Sequence, residues 1–141
     1  MSNLILTYQG AVQSWELDSN DHMNVMFYIN KFELAGRNLG HETGMHNDFL
    51  KKNNWGVAVV EQNIQYMQEV LEDELIRIES GISRIGNKSF SAIHKMISRD
   101  RNEVVSIMKI SLVLLDKTAR KSVPIPEEFK ENMKALLVEA S

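Results

Sequence analysis

The chain has 141 residues, 43% of them apolar and 25% charged, with no cysteine and a net charge of −3. That is the make-up of one soluble globular domain, residues 1–141, with a core of its own. It excludes a disulfide framework, a Cys-ligated metal and a thiolate nucleophile, and it argues against a nucleic-acid partner, which needs a basic surface.

No window approaches the ~20 apolar residues of a membrane span, and Met-Ser-Asn-Leu-Ile-Leu lacks the basic start of a secretion signal. The expected location is the cytoplasm, with no membrane partner. From Leu6 to Leu17 the chain reads as a strand, with Tyr8, Val12 and Trp15 inside it. Asp18-Ser19-Asn20-Asp21-His22 is a dense turn signal. Asn24 suits an N-cap. Met26, Ile29, Phe32, Ala35 and Leu39 then recur at helical spacing, with Phe27, Tyr28 and Leu34 widening the apolar surface. Gly40 is the expected terminator of this helix. A polar loop follows from His41 to Asn54, with a short helical piece near Asn47 to Lys52.

From Trp55 the period changes to two. Ala58, Val60, Gln62, Ile64 and Tyr66 form one side of a strand, which leaves Glu61 with Val57, Val59 and Asn63. Ile76, Ile78, Ser80 and Ile82 mark the next, and Phe90, Ala92, His94 and Met96 a third. Val104, Met108, Ile110, Leu112 and Leu114 mark a fourth. Strands joined by turns at Gly86-Asn87 and Asp100-Arg101-Asn102 predict an antiparallel meander. Pro126 suits a first helical position, with Phe129, Met133, Leu136 and Leu137 as the apolar face of a short last helix. The class is α+β: about five antiparallel strands wrapped around one long helix.

The chemistry is concentrated between Trp15 and Asn24. Asp18, Asp21, His22 and Asn24 stand between a strand and a helix start, whose free amides and dipole favour carboxylates and developing oxyanions. A plain capped turn, with Asp18 and Asn20 bonding their own backbone, explains the same residues. A calcium loop does not fit, because its sixth position is Met23 and its twelfth is Ile29. His41, His46 and His94 are scattered, and no metal site is expected.

Asp18-x-x-x-His22-Met23-Asn24, then Tyr28 and Phe32-Glu33-x-Ala35, resembles the opening signature of hotdog-fold acyl-CoA thioesterases of the 4-hydroxybenzoyl-CoA thioesterase type. Val60-Glu61 through Tyr66-x-x-Glu69, Lys88-Ser89-Phe90 and Pro124-Ile125-Pro126 extend the likeness along nearly the whole chain. Within that type the likeness is greatest to betainyl-CoA thioesterases. The chain departs from them at Asp21, where glycine is usual. A position needing positive φ suits aspartate less well than glycine.

The resemblance implies a hotdog domain that hydrolyses a small or medium acyl-CoA, with betainyl-CoA as one candidate. It also implies a homodimer or a dimer of dimers, with the site between subunits. Asp18 would be nucleophile or general base, and the Val25 N–H would hold the oxyanion. His22 and Asn24 would orient the turn or touch the thioester. Glu61 is either a second carboxylate of the site or an edge residue in solvent. Lys88 and Ser89 are candidate contacts to coenzyme A, or a solvated turn. Trp55 and Tyr66 would line the acyl pocket, and with Trp15, Phe27 and Tyr28 they supply rings for a cationic acyl group. No cofactor is implied, since coenzyme A belongs to the substrate. A non-catalytic acyl-CoA-binding protein is the alternative. A hydratase on the same fold ranks last, because its histidine motif is missing.

Overall fold

The computed structural model describes residues 4–139. Nineteen residues from Val25 to Thr43 form helix α1. Tyr28, Phe32, Ala35 and Leu39 make a buried stripe at helical spacing. The stripe packs with Ile76, Ile78, Ile82, Met96 and Leu114 into a single core cluster. Those strand residues come from β3 (Leu75–Ile85), β4 (Ser89–Ser98) and β5 (Glu103–Asp116). With β1 (Ile5–Ala11), β2 (Trp55–Tyr66) and the two-residue β6 (Lys121–Ser122) they form one six-stranded sheet. Helix α2 (Asn47–Asn53) follows α1, and helix α3 (Glu127–Lys134) ends the ordered elements. One long helix on an antiparallel sheet is the hotdog architecture, as expected.

Several details differ from the sequence expectation. The strand order is β1-β3-β4-β5-β2, so only β3, β4 and β5 form a meander. β2 pairs with β5 and not with β3. The loop from Met67 to Glu74 carries the chain across, and side-chain alternation cannot reveal which strands become neighbours. The first strand ends at Ala11, and Ser14–Glu16 is a single 3-10 turn closed by Gln13. There Trp15 is 70% exposed while Glu16 is buried. The main helix runs past Gly40 to Thr43. Gly44, at φ 89, is the residue that caps it in the left-handed region. Pro126 precedes α3 as its N-cap instead of opening it. Within α1, Met26 and Ile29 are exposed, and Lys31 joins the buried stripe.

Two of the buried polar groups, His94 and Lys31, are bulky side chains that need partners. His94 Nδ1 lies 2.5 Å from Ser80 Oγ, and Ser80 Oγ lies 2.7 Å from Thr7 Oγ1. Burial pushes the His94 imidazole down from 6.5 to about 4, so the ring is neutral near pH 7. The second group, Lys31, is paired with Glu16 at 2.6 Å. Among the described residues no helix is long and apolar enough to cross a membrane.

Candidate active site

A short hairpin leads into α1. Leu17 bridges Met23, the Asp18 N–H donates to the His22 carbonyl at 2.9 Å, and the Asp21 N–H donates to the Asp18 carbonyl at 3.1 Å. Asp18 Oδ1 accepts the Asn20 N–H at 2.8 Å, the local capping that a plain turn requires. The other oxygen, Oδ2, stands 3.6 Å from His22 Nδ1. His22 Nε2 is in turn 4.0 Å from Glu69 Oε2. The imidazole therefore sits between two carboxylates, neither contact being short enough for a strong hydrogen bond.

Asn24 caps α1 as expected, its Oδ1 accepting the Met26 N–H at 3.0 Å. The Val25 N–H has no acceptor among the described residues. It is one of the free donors of a helix start, aimed along the positive end of the dipole. One partly exposed carboxylate and one unpaired amide thus stand at opposite ends of the eight-residue stretch from Asp18 to Val25. A polarised carbonyl and an attacking oxygen need those two elements.

Asp21 adopts φ 66. The position does use the left-handed region, and aspartate fills it. Asp21→Gly is expected to change stability by no more than a few tenths of a kcal/mol. Asp21→Val, a β-branched residue in that region, should cost about 1–2 kcal/mol in a urea melt.

The wall of the site is the 67–74 loop. The Met23 N–H donates to the Val70 carbonyl at 2.8 Å. The Tyr28 hydroxyl donates to the Gln68 carbonyl at 3.4 Å, and its ring meets Tyr66 edge-on at 5.0 Å. Burial, helped by Tyr66, Glu74 and Glu69, pushes the Tyr28 hydroxyl up to about 12, so it remains a donor. Arg101 fastens the loop. It donates to the Glu69 carbonyl at 2.9 Å, to the Gln68 side chain, and to Glu74 at 2.8 Å. Burial raises Glu74, but hydrogen bonds from Ser98, Leu71 and Arg101 outweigh it and hold that carboxyl below its ordinary value.

The structure therefore brings together Asp18, His22, Asn24, Val25, Tyr28 and Tyr66, and adds Glu69, Gln68 and Arg101. It does not bring the others to that point within one chain. Glu61 is exposed on β2, and a bulge between Val59 and Glu61 shifts the register. Glu61 then shares a face with Ala58 and Asn63, not with Val57 and Val59. Tyr66 lies on the opposite, core-facing side with Ile64. Trp55 packs edge-on against Phe49 at 5.7 Å, at the far end of β2. Lys88 is exposed, and Ser89 Oγ accepts from Arg84 Nη2 at 3.1 Å. Ser89 opens β4, while the 67–74 loop leans on the Val105 carbonyl, across from Met96 and Ile97 near the other end of that strand. About seven residues of strand, roughly 25 Å, separate the two groups. No cluster of three metal-ligating side chains occurs among the described residues.

Residues 12–133 match the model of the thioesterase-like superfamily. The long-chain acyl-CoA thioesterase FadM of Escherichia coli K12 is 24% identical over 129 residues, 92% of this chain and 97% of that one. The Staphylococcus aureus protein SAV2348, solved in complex with CoA, superposes with a TM-score of 0.88 at 16% identity. It covers all of this chain and 89% of its own. The 1,4-dihydroxy-2-naphthoyl-CoA thioesterase Slr0204 of Synechocystis gives 0.81 at 11% identity, over 92% and 95%. One long helix set on this antiparallel sheet agrees with a family match across most of the chain: the protein belongs to the thioesterase-like superfamily and has its hotdog fold.

Proposed function

We propose that the protein is an acyl-CoA thioesterase that releases free acid and coenzyme A, with Asp18 as its reacting carboxylate. The observation that carries this reading is the partly exposed Asp18 carboxylate, held on a fixed hairpin at the free N-terminus of α1. In the reaction the C–S bond breaks and an acyl C–O bond forms. Asp18 either attacks the carbonyl carbon, giving an anhydride that water then opens, or takes the proton from the attacking water. The Val25 N–H takes the carbonyl oxygen as charge develops on it. The leaving thiolate departs as coenzyme A. His22, between Asp18 and Glu69, fixes the hairpin's side chains. The accommodated φ at Asp21 favours catalysis over the non-catalytic reading, because the turn closes without the usual glycine.

The site is completed by a second copy of the chain. β2 pairs with β5 on one side only, and Val59 and Val60 are exposed on it. An open edge of twelve residues with exposed valines at its middle favours pairing with another strand. Antiparallel pairing about a two-fold axis sets the Tyr66 end of one β2 beside the Trp55 end of the other. The partner's Lys88 and Ser89 lie at that end, because Ser89 pairs with Val113 and Val113 with Ala58. Lys88, Ser89 and Arg84 then serve coenzyme A at a site whose Asp18 comes from the other chain. Ultracentrifugation is expected to give a dimer or a multiple of it. Val59→Lys with Val60→Lys should yield monomers with thiol release lowered at least about tenfold. A wild-type monomer with full turnover contradicts the shared site.

The acyl group is small or medium in size. Of the five rings available to hold a trimethylammonium group, only Tyr28 and Tyr66 converge. Phe27 lies over the Lys31 ammonium instead. Thiol release from a panel of acyl-CoAs, betainyl-CoA included, tests both the activity and the acyl preference. Binding without release from every member would contradict the enzyme reading.

A further inference from the structure

We propose that the buried Glu16–Lys31 ion pair is a positioning device for the Asp18 hairpin, fixing where the carboxylate stands relative to the start of α1. The proposal rests on the reading of Asp18 as the reacting group. Lys31 is 2% exposed and Glu16 5%, and Nζ lies 2.6 Å from Oε2. Position 31 belongs to the stripe that otherwise carries Tyr28, Phe32, Ala35 and Leu39. An apolar residue would serve packing there, since a buried ion pair gives little stability beyond that of a hydrophobic pair. What the pair adds is direction. Lys31 Nζ lies 5.9 Å from the rings of Tyr8 and Phe27 and has no other acceptor among the described residues.

Glu16 uses every acceptor it has to join three segments. Oε1 takes the Gln13 N–H at 2.9 Å and Oε2 takes Lys31. Its carbonyl takes the Asn24 N–H at 2.8 Å. The base of the hairpin is thereby tied both to the cap of α1 and to its body, about two turns further on. The tip, Asp18 to His22, contributes no buried side chain. Apart from Glu16, what holds the hairpin to the rest of the domain among the described residues is its base: the Met23 N–H on the Val70 carbonyl, and the Met23 and Leu17 side chains in the core. Without the pair the hairpin keeps its backbone bonds but loses its tie to the body of α1, which loosens the carboxylate relative to the Val25 amide, and a misplacement of about 1 Å is enough to slow a reaction about a hundredfold.

The test compares Glu16→Gln/Lys31→Met, which removes both charges and keeps the volume, with wild type and Asp18→Asn. Amide hydrogen exchange should rise about tenfold at Asp18 and Asn24 while the β4 amides keep their protection. In the acyl-CoA assay kcat should fall at least about tenfold with KM within about threefold. Glu16→Asp keeps both charges and shortens the reach, and should raise exchange at the same two amides by about threefold. It decides the matter if the double variant does not fold. A folded double variant with wild-type exchange at Asp18 and Asn24, or with wild-type kcat, overturns the proposal. If that happens while Asp18→Asn is inactive, only the positioning role fails. If Asp18→Asn turns over normally, the Asp18 reading itself fails. The exchange measurement reads the hairpin whether or not a substrate is hydrolysed.

Discussion

Asp18→Asn is expected to lower kcat for acyl-CoA hydrolysis by about 10³-fold while acyl-CoA still binds within about threefold of wild type. Asparagine is the informative substitution because it retains Oδ1, which accepts the Asn20 N–H. The hairpin and the His22 carbonyl bond from Asp18 N–H therefore survive. What disappears is the negative charge that either attacks the carbonyl or accepts a proton from water. Stability should change by less than about 0.5 kcal/mol, since the substitution keeps the side chain's volume and its bond from the Asn20 N–H. Thiol release and calorimetric binding on the same preparation check both halves of the expectation.

Acid should destabilise the fold through a residue far from this chemistry. The unfolded chain protonates His94 near 6.5, whereas the folded chain resists until about 4. Burial favours the neutral ring, so this contribution is complete above pH 6.5. It declines as pH falls, and below about pH 4 it is gone. The loss across that window is about 3 kcal/mol. His94→Met removes the titration and leaves the Ser80 hydroxyl its contact with Thr7. Urea unfolding of both proteins between pH 7 and pH 4 isolates the effect. The difference between their stabilities should shrink by about 3 kcal/mol on acidification, while carboxylates common to both cancel.

Much of this molecule is written in local pattern. The change of period at Trp55, the Asn24 cap and the stripe Phe32-Ala35-Leu39 depend on neighbours in sequence, and they led directly to the helix-in-sheet class. The Asp18–Asn24 segment could be singled out because turn chemistry and cap chemistry meet in a few residues. Non-local features were hidden. Strand order depends on which edges meet after folding, so β2 was placed beside β3. A single bulged residue turned Glu61 to the other face. Gly40 and Gly44 are equivalent as letters, and only the fold shows that the second takes the left-handed cap. Nothing local marks Lys31 as buried, because its partner, Glu16, lies fifteen positions earlier in the stretch that reads as a strand. Glu69 stood within a recognised stretch, yet nothing in its spacing said that the loop would fold back against His22.

The central claim is that the residue-18 side chain meets the thioester at the N-terminus of α1. A crystal structure of Asp18→Asn soaked with an unhydrolysed acyl-CoA tests it most directly. The thioester carbon is expected about 3–3.5 Å from the residue-18 side chain, with its carbonyl oxygen on the Val25 N–H and coenzyme A running toward Lys88 and Ser89 of the second chain. An acyl-CoA bound with its thioester away from residue 18 and from the helix start would contradict it.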